Sequence, residues 1–144
     1  MKAEIITIGD ELLIGQTVDT NSAWIGRELT KLGISIFQKT AISDNKTHII
    51  NALDEALSRS NLVIITGGLG PTNDDITKFT LAEYFNTKLV LNPDAYKLVE
   101  RFISERNGVM NKNNTDQAFL PESCTMLPNN NGSAMGMWFE REGR

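Results

Sequence analysis

Short apolar runs alternate with amphipathic stretches of helical length through the first half of this chain. The runs are AEIITIG from Ala3, ISIFQKTAI from Ile34 and NLVIIT from Asn61. Segments with apolar residues at helical spacing follow each run, over about 22–32, 47–59 and 74–85. Three successive strand–helix units predict an α/β domain, in which a parallel sheet carries helices on both faces through right-handed crossovers.

Local signals predict where these first elements begin and end. Thr20 or Asn21 can cap the first helix, and Gly33 follows its last apolar residue, where a left-handed residue is favoured. The polar segment GDELLIGQTVDTN before that helix predicts a loop. The run NLVIIT is continuously apolar, as expected of a strand buried on both faces. The second helix is expected to bury a stripe formed by Ile50, Leu53 and Leu57.

The second half of the chain predicts shorter elements. NTKLVL is typical of a short strand, and Asn92 with Pro93 directly after it starts a helix. The polar stretch SERNGVMNKNNTDQ predicts a loop with a brief helical turn. CTMLP and GMWFERE predict the last two strands, joined by the Asn-rich segment LPNNNG.

Composition narrows the class of partner. The chain has 144 residues, which fits one domain over 1–144, and a formal net charge of −4, which argues against a nucleic-acid partner. Cys124 is the single cysteine, so neither an intrachain disulfide nor a cysteine zinc site can form. The opening MKAEIITIGDELL fits neither a signal peptide nor a membrane span. We therefore expect a cytoplasmic protein with no membrane partner.

Polar clusters follow each of the three predicted parallel strands. They are GDELL, SDNK and GGLGPTNDD. Ligands of open α/β sheets bind outside the carboxyl ends of the strands, so we expect these clusters to form one site at that edge.

The glycine-rich cluster suits a phosphate. Gly67, Gly68 and Gly70, followed by Pro71 and Thr72, lie between a predicted strand and a helix start. Backbone N–H groups there can approach a ligand with no Cβ in the way, and the helix adds its positive end. The alternative is a tight turn that needs glycine only for its torsions. The loop is not a Walker A motif, since no Gly-Lys-Ser/Thr follows, and it lacks the third glycine of a dinucleotide fingerprint.

Acidic residues accompany the glycines at the expected edge. They are Asp10, Glu11, Asp44, Asp74 and Asp75. Asp74 can equally be a helix-end acid that complements the helix dipole. Carboxylates repel a phosphate unless a divalent cation lies between them, and Mg²⁺ binds through a few carboxylates plus phosphate oxygens. The combination indicates metal-assisted phosphoryl or nucleotidyl chemistry.

The motifs IITIGDELLIGQTVDTNSAWIGRELTKLGI and TGGLGPTNDDITK resemble the amino-terminal domain of the CinA-like family, the competence/damage-inducible proteins. The later segment LPNNNGSAMGMWFE also resembles elements of that family. That domain belongs to the wider molybdenum-cofactor biosynthesis, or molybdopterin-binding, superfamily. The resemblance spans nearly the whole chain and implies a three-layer α/β/α fold with a mostly parallel sheet.

The resemblance also implies roles for individual residues. Catalytic acids would be Glu11, Asp44 and Asp75, and the same three with Asp10 would hold a divalent metal, Mg²⁺, Mn²⁺ or Co²⁺. A nucleotide or pterin phosphate would bind at residues of the glycine loop and of the late segment: Gly67, Gly68, Gly70, Pro71, Thr72, Asp74, Asn129, Gly132 and Ser133. The resemblance further implies a homo-oligomer, a dimer or a trimer.

Three functions follow from this resemblance. The first is metal-dependent hydrolysis of ADP-ribose-like pyrophosphates with release of AMP. The second is binding or adenylylation of molybdopterin, and the third is nucleotide binding without catalysis. Leu69 stands where the cofactor-making enzymes usually have Thr or Ser, which favours the first over the second, and Met135 replaces a usual proline.

The ending GMWFEREGR resembles the start of a hairpin without its return strand. We therefore expect the chain to be a fragment of a longer protein. Full-length relatives often carry a nicotinamide mononucleotide deamidase domain, which these residues do not contain.

Overall fold

The computed structural model of the protein describes residues 1–72 and 75–141. They divide into two compact units, and the glycine-rich segment crosses the boundary between them. The first unit is Met1–Gly68 with Arg141, and the second is Leu69–Glu140. No helix among the described residues is long and apolar enough to cross a membrane.

The first unit contains the parallel sheet. Its strands β1, β2 and β3 lie in the order β2-β1-β3, and both neighbouring pairs are parallel. The predicted α/β class with a parallel sheet is therefore confirmed. The elements of this unit are β1 (Lys2–Ile8), α1 (Asp10–Leu13), α2 (Thr20–Lys31), β2 (Ser35–Ile42), α3 (Lys46–Arg59) and β3 (Leu62–Thr66).

The central strand β1 forms the core of the first unit. Every residue of β1 after Lys2 is buried, including the charged Glu4, which is 1% exposed. The Glu4 carboxylate accepts hydrogen bonds from Arg59 Nε at 2.8 Å, Arg59 Nη2 at 3.0 Å and Ser60 Oγ at 2.9 Å. A charge this deep is tolerated because its lone pairs are satisfied by a guanidinium and a hydroxyl.

The ends of α2 test the predicted caps. Asp19 is the N-cap and accepts from Ser22 N at 2.9 Å, so the predicted caps Thr20 and Asn21 are wrong. At the other end Gly33 adopts φ 77°, as predicted, and Gly33 N and Ile34 N donate to carbonyls of the last turn. This pair of bonds is a Schellman ending.

Three other expectations in the first unit are wrong. The predicted polar loop after β1 contains the short helix α1, whose first-turn acids complement the helix dipole. Strand β3 is half-buried along its length, because it lies at one end of the strand order and not between two strands. The buried stripe of α3 is Ile49, Leu53 and Ala56, one residue away from the predicted stripe at Ile50 and Leu57.

The second unit contains short elements around a separate core. Strands β4 and β5 pair antiparallel, as do β6 and β7. The elements are α4 (Thr77–Tyr84), β4 (Leu89–Leu91), α5 (Pro93–Ser104), α6 (Lys112–Asp116), β5 (Phe119–Pro121), β6 (Thr125–Leu127) and β7 (Gly136–Trp138). The core consists of Ala95, Val99, Ala118, Leu120 and Met135. The Asn92 cap, the brief helical turn and the last two strands are confirmed, whereas β5 was not predicted.

Helix α4 begins later than predicted. The expected start near Asp74 or Asp75 is replaced by a start at Thr77, with Ile76 as N-cap. Asp75 N donates to Thr72 O at 3.1 Å, so Asp75 is bonded back to the glycine loop and does not begin the helix.

Candidate phosphate-binding site

The parallel register places the ends of the three strands at one edge of the first unit. Thr7 pairs with Thr66, and Ile8 pairs with Ile42. Gly9 N continues the ladder by donating to Ile42 O at 3.0 Å. The segments that begin at Gly9, Ser43 and Gly67 therefore leave the sheet side by side. This is the arrangement that the sequence predicts for the residues of the first unit.

Gly67 is required by close packing. Its φ is 104°, and a Cβ at this position would lie 1.9 Å from Ile8 O. Gly68 also has a positive φ, 61°. Any larger residue at 67 would collide with the backbone of β1, so part of the glycine signal reflects how β3 leaves the sheet and not ligand binding.

The acids of the first unit lie just beyond the strand ends. Asp10 and Glu11 occupy the first turn of α1, and both are exposed. A Cβ on Gly9 would lie 2.5 Å from Glu11 Oε1, so the Glu11 carboxylate folds back over the Gly9 backbone. Asp44 is half-buried and precedes Asn45, whose side chain caps α3.

In the second unit the glycine loop closes on Asp75. Asp75 Oδ2 accepts a hydrogen bond from Thr72 N at 3.0 Å and a second one from the Thr72 hydroxyl. The Gly70 N–H is also directed at this carboxylate. A Cβ on Gly70 would lie 2.5 Å from Asp75 Oδ2, so glycine is what allows the carboxylate to approach. We call this arrangement of Gly70, Thr72 and Asp75 the capped loop.

The capped loop keeps Asp75 ionised. Partial burial opposes the charge, but the hydrogen bonds from Thr72 and Gly70 outweigh it and hold the pKa of the carboxyl below its usual range. Backbone N–H groups that converge on one anion form a nest, a geometry that also binds phosphate. In this structure the Asp75 carboxylate occupies the position that an external anion would take in such a nest.

The late segment forms a self-contained turn in the second unit. Asn129 Nδ2 donates to Ala134 O at 2.8 Å, and Asn129 Oδ1 accepts from Asn131 N at 2.9 Å. Gly132 and Ser133 lie half-buried inside this turn. Met135, at the usual proline position, is 2% exposed and belongs to the core. The amide of Asn129 therefore stabilises the turn, and Met135 anchors it.

Two residues near the capped loop were not predicted from the sequence. Lys78 Nζ donates to Asp116 O at 2.7 Å, and Gln117 Nε2 donates to Leu69 O at 3.4 Å. Burial lowers the pKa of Lys78, while the charge of Asp116 partly offsets that effect. Lys78 follows the glycine loop closely in the sequence, and this position could have marked it as a residue near the loop. Nothing in the polar stretch around Gln117 separates it from its neighbours.

The acids expected to hold a divalent metal are divided between the two units. Glu11 and Asp44 belong to the first unit and Asp75 to the second, while Asp74 lies outside the described residues. Across 1–72 and 75–141, no three His, Cys, Asp or Glu side chains form a group that could hold a metal ion. Mg²⁺ is often held by one or two protein carboxylates together with substrate phosphates. The acids of each unit, taken by themselves, therefore form no preformed metal cage within the described residues, and an ion that arrives with a phosphate ligand needs none.

Comparison with known proteins establishes the class. The family model described as "Probable molybdopterin binding domain" matches residues 4–141, so the chain belongs to the molybdopterin-binding domain family. Within that family it is similar to CinA-like proteins. The CinA-like protein of Cytophaga hutchinsonii is 52% identical over 141 residues, which are 98% of this chain and 34% of that protein.

Solved structures agree with this assignment. The crystal structure of CinA from Thermoplasma acidophilum matches 99% of this chain and 83% of its own, with a TM-score of 0.87 and 33% identity. The tungsten cofactor synthesizing protein MoaB from Pyrococcus furiosus, at 23% identity and a TM-score of 0.58, shares the fold over 83% of this chain and 78% of its own. The chain spans about one third of the length of the curated relatives it matches.

Proposed function

We propose that this domain binds the phosphate of a pterin- or nucleotide-type ligand at the glycine loop. The observation that carries the proposal is the capped loop, in which the Thr72 N–H and hydroxyl donate to the Asp75 carboxylate and glycine at position 70 leaves room for it. A phosphate oxygen can accept hydrogen bonds from these donors in the same way as a carboxylate oxygen. The family description favours a molybdopterin-like ligand.

The Asp75 carboxylate occupies donors of the loop that an incoming phosphate would use. The Thr72 N–H is committed to Asp75, so a phosphate must displace that side chain or bind through the remaining loop N–H groups. Asp75 is held by hydrogen bonds from within five residues of itself and by no ion pair among the described residues, which makes displacement a local change.

Calorimetric titration with pyrophosphate, AMP, ADP-ribose and a pterin monophosphate tests the binding. Gly70→Ala adds a Cβ in the space that Asp75 Oδ2 occupies and is expected to weaken phosphate binding by about tenfold or more, which corresponds to about 1.4 kcal/mol. Gly26→Ala is the matched control, because its Cβ would meet only ordinary contacts at 3.9 Å. Equal affinities for the two variants would contradict the proposed site.

A second candidate is metal-dependent hydrolysis of ADP-ribose-like pyrophosphates with release of AMP. The ionised Asp75 beside the loop favours it, because an ionised carboxylate can ligate a metal or accept a proton from water. A divalent ion bound with the ligand would supply charge neutralisation. Release of AMP from ADP-ribose with Mg²⁺, Mn²⁺ or Co²⁺ is the test. Binding without turnover in any of the three metals would leave a nucleotide- or pterin-binding domain.

A homo-oligomer, a dimer or a trimer, is part of the same proposal. Sedimentation equilibrium of the chain measures it, and a single species of 16.0 kDa would contradict it.

A further inference from the structure

Beside the capped loop, the second unit contains a small cavity that combines a cation with a buried amide. The cavity has a volume of about 10 Å³. Its lining consists of Leu69, Lys78, Gln117, Leu120, Ala134, Met135 and Met137. Five of these residues present apolar side chains or backbone, so Lys78 and Gln117 carry the polar side chains of the wall.

The side-chain oxygen of Gln117 is a buried acceptor that receives no hydrogen bond from the described residues. The Gln117 side chain is 6% exposed, and Oε1 is buried without a hydrogen-bond partner. Its Nε2 donates to Leu69 O at 3.4 Å. Exchanging the two amide atoms would bring Oε1 against that carbonyl oxygen, so the assignment of the amide is fixed by its neighbour. Buried acceptors are nearly always paired, and an exception calls for a partner.

Lys78 supplies donors on the same cavity. One of its three N–H groups goes to Asp116 O at 2.7 Å, and none of the ion pairs formed within 1–72 and 75–141 includes Lys78. A partly buried ammonium that forms no close ion pair among the described residues gains from any acceptor that enters the cavity.

The chemistry of the occupant follows from these two residues. The ammonium of Lys78 only donates, and Gln117 Oε1 only accepts, so one group that satisfies both must accept and donate. An ionised phosphate or carboxylate oxygen cannot donate, and an amine that is protonated cannot accept. A cavity of about 10 Å³ is near the roughly 10–15 Å³ that one water requires, which excludes a ring.

We propose that Lys78 and Gln117 form a hydroxyl-binding subsite, which takes a single O–H group from a water or from the ligand. Leu69, which accepts from Gln117, is also the residue that leads into Gly70 of the capped loop. A sugar or side-chain hydroxyl of a phosphorylated ligand is therefore the ligand group that would enter. This part of the proposal depends on the proposed function, whereas the water-bound form of the subsite does not.

A crystal structure of the ligand-free chain at about 1.5 Å resolution tests the water-bound form. We expect one oxygen within hydrogen-bond distance of both Gln117 Oε1 and Lys78 Nζ. Gln117→Met and Lys78→Met should each lose that oxygen, and the control Lys88→Met, whose side chain is 73% exposed, should keep it. A cavity without density in the unmodified chain would overturn the proposal, as would the same bound oxygen in Gln117→Met.

Titration with AMP, its 2′-deoxy and 3′-deoxy counterparts, and pyrophosphate separates the two sources of the hydroxyl. If the ligand supplies it, one deoxy compound binds about tenfold more weakly than AMP, and Gln117→Met removes the difference without changing the pyrophosphate affinity. If AMP and both deoxy compounds bind equally, water is the occupant. Gln117→Glu keeps the acceptor, so it should retain the preference that Gln117→Met loses. Failure of pyrophosphate to bind would count against the proposed function and leave the water-bound subsite standing.

Discussion

Replacing Asp75 by Asn separates its observed role as the internal cap of the glycine loop from its proposed role as a metal ligand or catalytic base. Asp75 occupies the nest through hydrogen bonds from Thr72 and Gly70, so it competes with any incoming anion. Asparagine keeps an acceptor oxygen of the same shape but removes the charge. We therefore predict tighter binding of a metal-free anion to Asp75→Asn than to the unmodified chain.

The size of this gain follows from the bonds that change. Hydrogen bonds to a charged group contribute about 1.5–3 kcal/mol, against about 0.5–1.5 kcal/mol for neutral ones. Weakening the internal cap by about 1 kcal/mol should tighten pyrophosphate binding roughly fivefold, and the lost repulsion between like charges adds to that. The same weakening should lower the melting temperature by about 3 °C in a domain of this size.

The assay is a calorimetric titration with pyrophosphate at pH 7 in the presence of a chelator. Asp94→Asn is the matched control, because it removes one exposed charge from the first turn of α5. It should leave the affinity unchanged apart from a small effect of net charge. Equal gains in the two variants would show that only bulk charge matters. An unchanged or weaker affinity of Asp75→Asn would refute the competition between the carboxylate and the anion.

The pKa of Asp75 adds a pH dependence with a defined sign. Its folded pKa is lowered, so the carboxylate blocks the nest until the pH falls below the usual carboxyl range. Sulfate keeps its charge over this interval, so the unmodified chain should gain affinity for sulfate as the pH falls there. Asp75→Asn should show no such gain. With metal and ADP-ribose the direction reverses, because loss of a ligand or base lowers AMP release by roughly a hundredfold or more.

Three further results are expected. Gly67→Ala should destabilise the chain by about 3 kcal/mol or more in urea unfolding, since its Cβ would lie 1.9 Å from a carbonyl oxygen, whereas Gly33→Ala, with φ 77° and open space, should lose only about 1 kcal/mol. Glu4→Gln should lose about 2 kcal/mol, and exposed Glu55→Gln under about 0.5 kcal/mol. Because the hydrogen bond from Arg59 lowers the pKa of Glu4 against its burial, the stability it contributes should be full above the usual carboxyl range and lost as pH falls through the folded pKa. Excess chelator should abolish AMP release and leave pyrophosphate binding intact, and hydrolysis that continues in chelator would contradict a metal-dependent reaction.

Patterns with strong local causes were predictable from the sequence. The β-branched run before Gly9, the Gly33 helix ending and the Asn92 cap all depend on neighbours within a few residues. The parallel sheet followed from the alternation of such elements. The CinA-like family and the molybdopterin-binding class are confirmed by the comparisons.

Features that depend on distant contacts were not predictable. Whether Asp19 or Thr20 caps α2 differs by one residue, and both side chains are good caps. The buried stripe of α3 contains Ile49 and Ala56, and the small side chain of Ala56 faces inward where Leu57 was expected. Gln117 lies 48 residues from Leu69 along the chain, so their hydrogen bond has no local signature.

The glycines of the loop are required for two different structural reasons. Gly67 is explained by the backbone of β1, while Gly70 is explained by the approach of Asp75. The sequence pattern alone cannot separate a glycine that avoids a collision from one that admits an anion. Asp75 was predicted as a metal or catalytic acid, and the structure adds a further role as the internal cap of the loop.

The most direct test of the proposed function is an NMR titration of the ¹⁵N-labelled chain with ADP-ribose and pyrophosphate. Amide shifts report which backbone N–H groups meet the phosphate. We predict that the largest shifts fall within Gly67–Thr72 and that Gly70→Ala suppresses them. Saturable binding with its largest amide shifts elsewhere in the chain, and with those of Gly67–Thr72 unmoved, would contradict a phosphate site at this loop.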